Sequence, residues 1–79
     1  MHATQQDIIS ILENAGLSAD VSAIQGNTDL IKEAGIDSLE MMSVYLGIEE
    51  KFGIHIPDQD LDRLDTIDNI IQYLQKLPE

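Results

Sequence analysis

Apolar residues along this chain recur mostly at the three- and four-residue steps of a helix, interrupted by one long stretch where they do not. From about Thr4 to Ala15, the residues Ile8, Ile11, Leu12 and Ala15 share one face and predict a first helix. Thr4 is its expected N-cap, with Asp7 three residues on as a near capping box. Gly16 suits the left-handed position that ends such a helix. Residues 17–36 lose the period and read as a long loop. "GNTDL" within it carries turn chemistry in Gly26, Asn27 and Asp29. Val21, Ile24, Leu30 and Ile36 are spaced irregularly, as pins tying the loop to a core. A loop of this length in a small domain is commonly functional. A second helix is expected from about Leu39 to Phe52, ended by Gly53. "GIHIPD" then makes an extended connector, because Pro57 disfavours helix at Ile56. Asp58 is the expected cap of a short helix near Leu61 to Leu64. The last helix spans about Ile67 to Leu77, capped by Asp65 or Thr66, with Ile67, Ile70, Ile71, Leu74 and Leu77 as its buried stripe. The fold class is therefore all-α: a small four-helix bundle, three longer helices plus one short third helix, in a single domain over 1–79.

The second helix carries more apolar surface than one core contact requires. Wound at 100° per residue, Met41, Val44, Tyr45, Ile48 and Phe52 fall on one face, and Leu39, Met42 and Leu46 on an adjacent one. The apolar arc is about 200° wide. The first set is expected to face the core. The second is then exposed, rimmed by Glu40, Glu49 and Glu50, and an apolar stripe with an acidic rim is the anatomy of a protein-docking surface. A central helix buried nearly all round is the competing reading.

Charge sharpens that picture. Fifteen acids face four bases, for a formal net charge of −11. Nucleic acid is an unsuitable partner, since phosphate binding needs clustered Lys and Arg, and an anionic membrane surface would repel the chain. Basic protein surfaces fit, reached by electrostatic steering; simple solubility is the bland alternative. There is no cysteine, so neither disulfides nor thiolate metal sites exist, which fits a cytoplasmic, reducing setting. No apolar run is long enough to span a membrane, and the first ten residues lack the basic-then-apolar pattern of a signal peptide. A monomer with no membrane insertion is expected.

Candidate chemistry is sparse. His2 lies at the terminus, and His55 alternates with Ile54 and Ile56, so it is expected to face solvent. No Ser-His-Asp ordering and no Gly-rich phosphate loop is evident. "DQDLDRLDTIDN", residues 58–69, has acids at positions 1, 3 and 5 of a twelve-residue calcium loop. It then has Arg63 where Gly makes the sharp turn and Asn69 where a bidentate Glu belongs. What remains is "AGIDSLEMM", residues 34–42, where Asp37 and Ser38 stand at the start of the second helix. Either residue can cap it, and Asp37 with Glu40 forms a capping box with Asp in the Ser/Thr place. Alternatively Ser38 is a handle: a phosphate attached there would be stabilised by the free N–H groups and positive end of the helix.

"GIDSLEMM" resembles the Gly-x-Asp-Ser-Leu motif around the modified serine of the acyl carrier protein family. "IEEKFGIHIPD" resembles the segment that ends that family's second helix, and "NTDLIKEAGIDSL" its long first loop. The resemblance covers essentially the whole chain. It implies a non-catalytic carrier whose Ser38 receives 4′-phosphopantetheine from coenzyme A through a phosphopantetheinyl transferase, with Asp37 and Leu39 as motif flanks. The thiol of that arm would carry acyl or aminoacyl groups as thioesters for fatty acid, polyketide or related biosynthesis. Loading and processing enzymes with basic patches would dock on Leu39, Glu40, Met42, Leu46, Glu49 and Glu50. Ser43 stands where fatty-acid carriers usually have glutamate, so the second helix is less acidic than theirs and a specialised carrier fits. Tyr45 is expected to shorten any interior acyl pocket, and Gly47 to weaken the helix by roughly 1 kcal/mol relative to Ala. The rival function is an acidic helical interaction domain without a prosthetic group, in which Ser38 only caps.

Overall fold

The computed structural model describes residues 2–78. Three α-helices, α1 (Gln5–Asn14), α2 (Ser38–Phe52) and α3 (Ile67–Gln75), are joined by two 3₁₀ segments, Val21–Ala23 and Asp58–Arg63. α1 packs on both α2 and α3. This is the helical bundle expected from the apolar spacing, with the 3₁₀ helix Asp58–Arg63 as its short third member.

Local chemistry accounts for the helix ends. Thr4 caps α1 in a complete capping box: the Asp7 N–H donates to Thr4 Oγ1 at 3.2 Å, and the Thr4 N–H to Asp7 Oδ2 at 3.0 Å. Thr66, not Asp65, caps α3, its Oγ1 accepting from the Asn69 N–H at 3.0 Å. Asp65 instead accepts from Asn69 Nδ2 at 2.7 Å. The expected cap at Asp58 is not formed. Pro57 occupies the N-cap position with no side-chain bond, and Asp58 is the first helical residue. α3 stops at Gln75, two residues before the expected end, while Leu77 still packs partly buried against the core.

The core is wholly apolar, with Ile8, Leu12, Leu30, Ile36, Ile48 and Leu64 among its fully buried side chains. Ala3 joins it from the N-terminal segment. On α2, Met41, Val44 and Ile48 are buried as expected, but Tyr45 and Phe52 are only half-buried at its margin. Of the four loop pins, Ile24, Leu30 and Ile36 are buried and Val21 partly so. The loop is better ordered than a structureless connector. The Asp68 N–H donates to the Gly26 carbonyl at 2.9 Å, and the Leu30 N–H to the Asp65 carbonyl at 2.8 Å. Both bonds tie the loop to the start of α3. Among the described residues, no helix is long and apolar enough to cross a membrane.

Candidate functional site

The chain enters α2 through a sharp, well-anchored turn. Asp29 organises the last part of the loop. Its Oδ1 accepts from the N–H groups of Ile31 (3.0 Å) and Lys32 (2.8 Å), and its carbonyl from those of Glu33 and Ala34 at 2.9 Å each. Glu33 Oε1 closes the turn on the Asp29 N–H at 2.8 Å. Gly35 follows at φ 79°, a left-handed conformation that a side chain would strain. Ile36 is then fully buried, and its N–H donates to the Leu30 carbonyl at 3.0 Å. With Ile36 anchored, Asp37 and Ser38 emerge at the surface, both exposed.

The cap belongs to Asp37. Its Oδ1 accepts from the Glu40 N–H at 2.7 Å, and Glu40 Oε1 accepts from the Asp37 N–H at 3.2 Å, completing the capping box. Ser38 is the first helical residue, one earlier than the spacing suggests, and its hydroxyl has no hydrogen-bond partner among the described residues. The N–H groups of Ser38 and Leu39 are likewise without acceptors. This is the ordinary state of a helix start, where partial positive charge gathers. A phosphodiester on Ser38 Oγ fits here: the oxygen is exposed and uncommitted, and two unpaired donors lie at the same helix end.

The adjacent stripe is exposed as the winding of the helix requires. Leu39 is 81% exposed, and Met42 and Leu46 56% each. Ile31, at the Asp29 turn, is a further exposed apolar side chain that periodicity alone does not single out. The acidic rim is less uniform than expected. Glu50 is exposed, and its carboxylate has no hydrogen-bond partner among the described residues. Glu49 is turned inward: its Oε2 accepts from the Ile56 N–H at 2.7 Å and lies 3.3 Å from His55 Nδ1, pinning the extended connector back onto α2. Glu40 uses its second oxygen on Ser18, accepting from the backbone N–H at 3.0 Å and from Oγ at 3.3 Å.

Leu46 stands between two grooves. One, toward α1, is lined by Ser10, Ile11, Asn14, Gly47 and Lys51. The other, toward the 3₁₀ helix, is lined by Met42, Tyr45, Ile56, Asp58 and Leu61. Tyr45, half-buried, forms part of the wall of the second. Its hydroxyl donates to the Leu61 carbonyl at 3.4 Å, and burial, helped by Asp62 and Asp65, pushes its ionisation above the usual range. The acids of residues 58–69 do not form a cation loop. Asp58–Arg63 is helical, Asp60 accepts from the Tyr73 hydroxyl at 2.7 Å, and among the described residues no three metal-ligating side chains converge.

Residues 8–74 match the family described as a phosphopantetheine attachment site. The chain is similar to the acyl carrier protein of Campylobacter jejuni subsp. doylei, at 32% identity over 75 residues, covering 95% of this chain and 96% of the relative. It is similar also to the meromycolate extension acyl carrier protein of Mycolicibacterium smegmatis, at 34% identity, covering 100% of this chain and 83% of that one. Among solved structures it resembles a chain in the crystal structure of engineered Bradyrhizobium japonicum glycine:[carrier protein] ligase complexed with carrier protein from Agrobacterium tumefaciens and ATP. That likeness has a TM-score of 0.79 at 30% identity, covering 92% of this chain and 97% of the other.

Proposed function

Because the chain belongs to the acyl carrier protein family, whose phosphopantetheine-binding domain carries 4′-phosphopantetheine as a covalent group, we propose that Ser38 is the attachment residue and that the chain is a single, monomeric, non-catalytic carrier domain of the cytoplasm. The observation that carries this reading is the division of labour at the start of α2. Asp37 takes the cap, so the exposed Ser38 hydroxyl is free to react. The arm supplies a thiol that this cysteine-free chain lacks, and acyl or aminoacyl groups travel on it as thioesters. A phosphopantetheinyl transferase and the later enzymes dock on Leu39, Met42 and Leu46, with Glu50 as the free rim charge.

Incubation with coenzyme A and a broad-specificity phosphopantetheinyl transferase, followed by intact mass, tests the attachment. One added arm is expected on the wild-type chain and none on Ser38→Ala. A well-folded wild-type chain that gains no mass would favour the acidic interaction domain instead. Leu39→Ala is expected to slow loading while thermal unfolding stays unchanged.

The cargo is short or held outside the core. The Tyr45 ring in the wall of the groove between α2 and the 3₁₀ helix, its hydroxyl bonded to the Leu61 carbonyl, supports this, as does the relative crystallised with a glycine:[carrier protein] ligase, an enzyme for a small aminoacyl group. The modest acidity of α2, with Ser43 exposed on it, fits a specialised pathway better than bulk fatty-acid synthesis. Chain-length titration with the Tyr45 and Ile48 resonances followed by NMR checks it. Shifts that stop growing beyond short chains are expected, and deep sequestration of a long chain would overturn the reading.

A further inference from the structure

We propose that Glu40 is a positioning residue for Ser38, not a charge offered to partners. Its carboxylate is already committed on both oxygens. Oε1 holds the Asp37 N–H at 3.2 Å inside the capping box, and Oε2 holds Ser18 through the backbone N–H at 3.0 Å and Oγ at 3.3 Å. Ser18 lies 22 residues earlier in the chain, in the corner that follows α1. That corner is itself seated. Leu17 and Ala19 on either side of Ser18 pack against the core, and Gly16 turns the chain out of α1. Glu40 therefore fastens the first turn of α2 to a fixed point on the opposite side of the loop. A first turn held only by its own capping box could shift with the loop. Latched to Ser18, it holds the backbone that carries Ser38 in one place. Hydrogen bonds to a carboxylate are among the stronger ones available at a surface, and three of the roughly four acceptor sites of this side chain are already taken within the chain.

The inference rests on Ser38 as the attachment point and makes its own prediction about Ser18, an uncharged residue that a docking role for Glu40 would not involve. The experiment is steady-state loading by the phosphopantetheinyl transferase at several salt concentrations. Glu40→Asp keeps the charge but retracts it by one methylene, out of reach of Ser18. Glu40→Gln keeps the length and removes the charge. With a latch, both variants lower kcat by about tenfold or more, up to the roughly hundredfold that misplacing a reacting group by about 1 Å can cost, while KM and the salt dependence stay at wild-type values. Ser18→Ala, which removes one of the three bonds, lowers kcat less. Combined with Glu40→Asp, it adds nothing, because the two residues act as one unit. Thermal unfolding of each variant separates reorientation from loss of fold, and Ser18→Ala keeps the question open to measurement should a Glu40 variant unfold.

Wild-type rates in Glu40→Asp would overturn the latch. So would a raised KM with a flattened salt response in Glu40→Gln alone, the signature of a docking charge. Failure of the wild-type chain to load, or loading of Ser38→Ala, would sink the Ser38 reading and the latch with it. A wild-type chain that loads while Glu40 variants are indifferent sinks only the latch.

Discussion

Asp37 and Ser38 are neighbours of similar size and exposure, yet the capping geometry gives them opposite energetic roles. Asp37 satisfies the Glu40 N–H, so Asp37→Ala is expected to lower stability by about 1 kcal/mol. Ser38→Ala removes a hydroxyl without a partner and is expected to leave the urea midpoint unchanged. A Ser38 variant that is the less stable of the two would reverse the assignment of the cap. The capping box of α1 carries a pH dependence. The Thr4 N–H bond holds the Asp7 carboxyl below the usual carboxylate range. A lowered native pKa means that the stabilisation is fully present above the ordinary carboxylate pKa and is lost as pH falls through the lowered value. Asp7→Asn is thus expected to be less stable than wild type at neutral pH, with the gap closing in acid. Equal gaps at both pH values would exclude the cap as its source. Both caps were legible in the sequence because their partners are three residues apart. The second partner of Glu40 was not, since no local pattern links it to a serine 22 residues away.

At the scale of whole elements, the helices were legible where an apolar stripe and a cap agree, as in α1, α2 and α3. The loop over 17–36 was not, because its order comes in part from backbone bonds that join Gly26 to Asp68 in α3 and Leu30 to Asp65 just before it, and such pairings leave no periodic mark. Gly47 shows the same limit in one residue. Within α2 it looks like a weakness, since glycine lowers helix propensity. In the fold, a Cβ built at Gly47 would stand 2.8 Å from Ile11 Cγ2, so the glycine sets how closely α1 approaches α2. Propensity favours Gly47→Ala by about 1 kcal/mol. Overpacking opposes it by about 1–3 kcal/mol, because the β-branched Ile11 has little rotamer freedom with which to yield. Contact should win, and Gly47→Ala is expected to lower the unfolding midpoint. Ile11→Leu removes the obstructing Cγ2 branch, so the alanine should be less harmful in that background. A stabilising Gly47→Ala on its own would show that the two helices part without cost.

For the molecule as a whole, charge acts in two directions that one variable can separate. Fifteen acids and four bases are gathered in a body of 32 × 22 × 19 Å. At about 0.01 M salt the screening length is about 30 Å, comparable with the longest dimension, so every acid repels nearly every other. At about 0.15 M it is about 8 Å, and only near neighbours interact. Few compensating attractions offset this. Among the described residues the single ion pair joins Glu49 to His55, and it needs a protonated imidazole. Screening should therefore stabilise the fold, raising Tm by a few degrees between these salt concentrations, roughly what 1 kcal/mol yields in a domain of this size. The same screening should slow loading, because a basic partner then loses its steering toward the exposed stripe on α2. Thermal unfolding and transferase kinetics, measured in sodium chloride on one preparation, give the two signs side by side. A Tm that falls with salt would mean that attractive pairs dominate the surface. A loading rate that ignores salt would remove charge from the docking step and leave Leu39, Met42 and Leu46 to carry it.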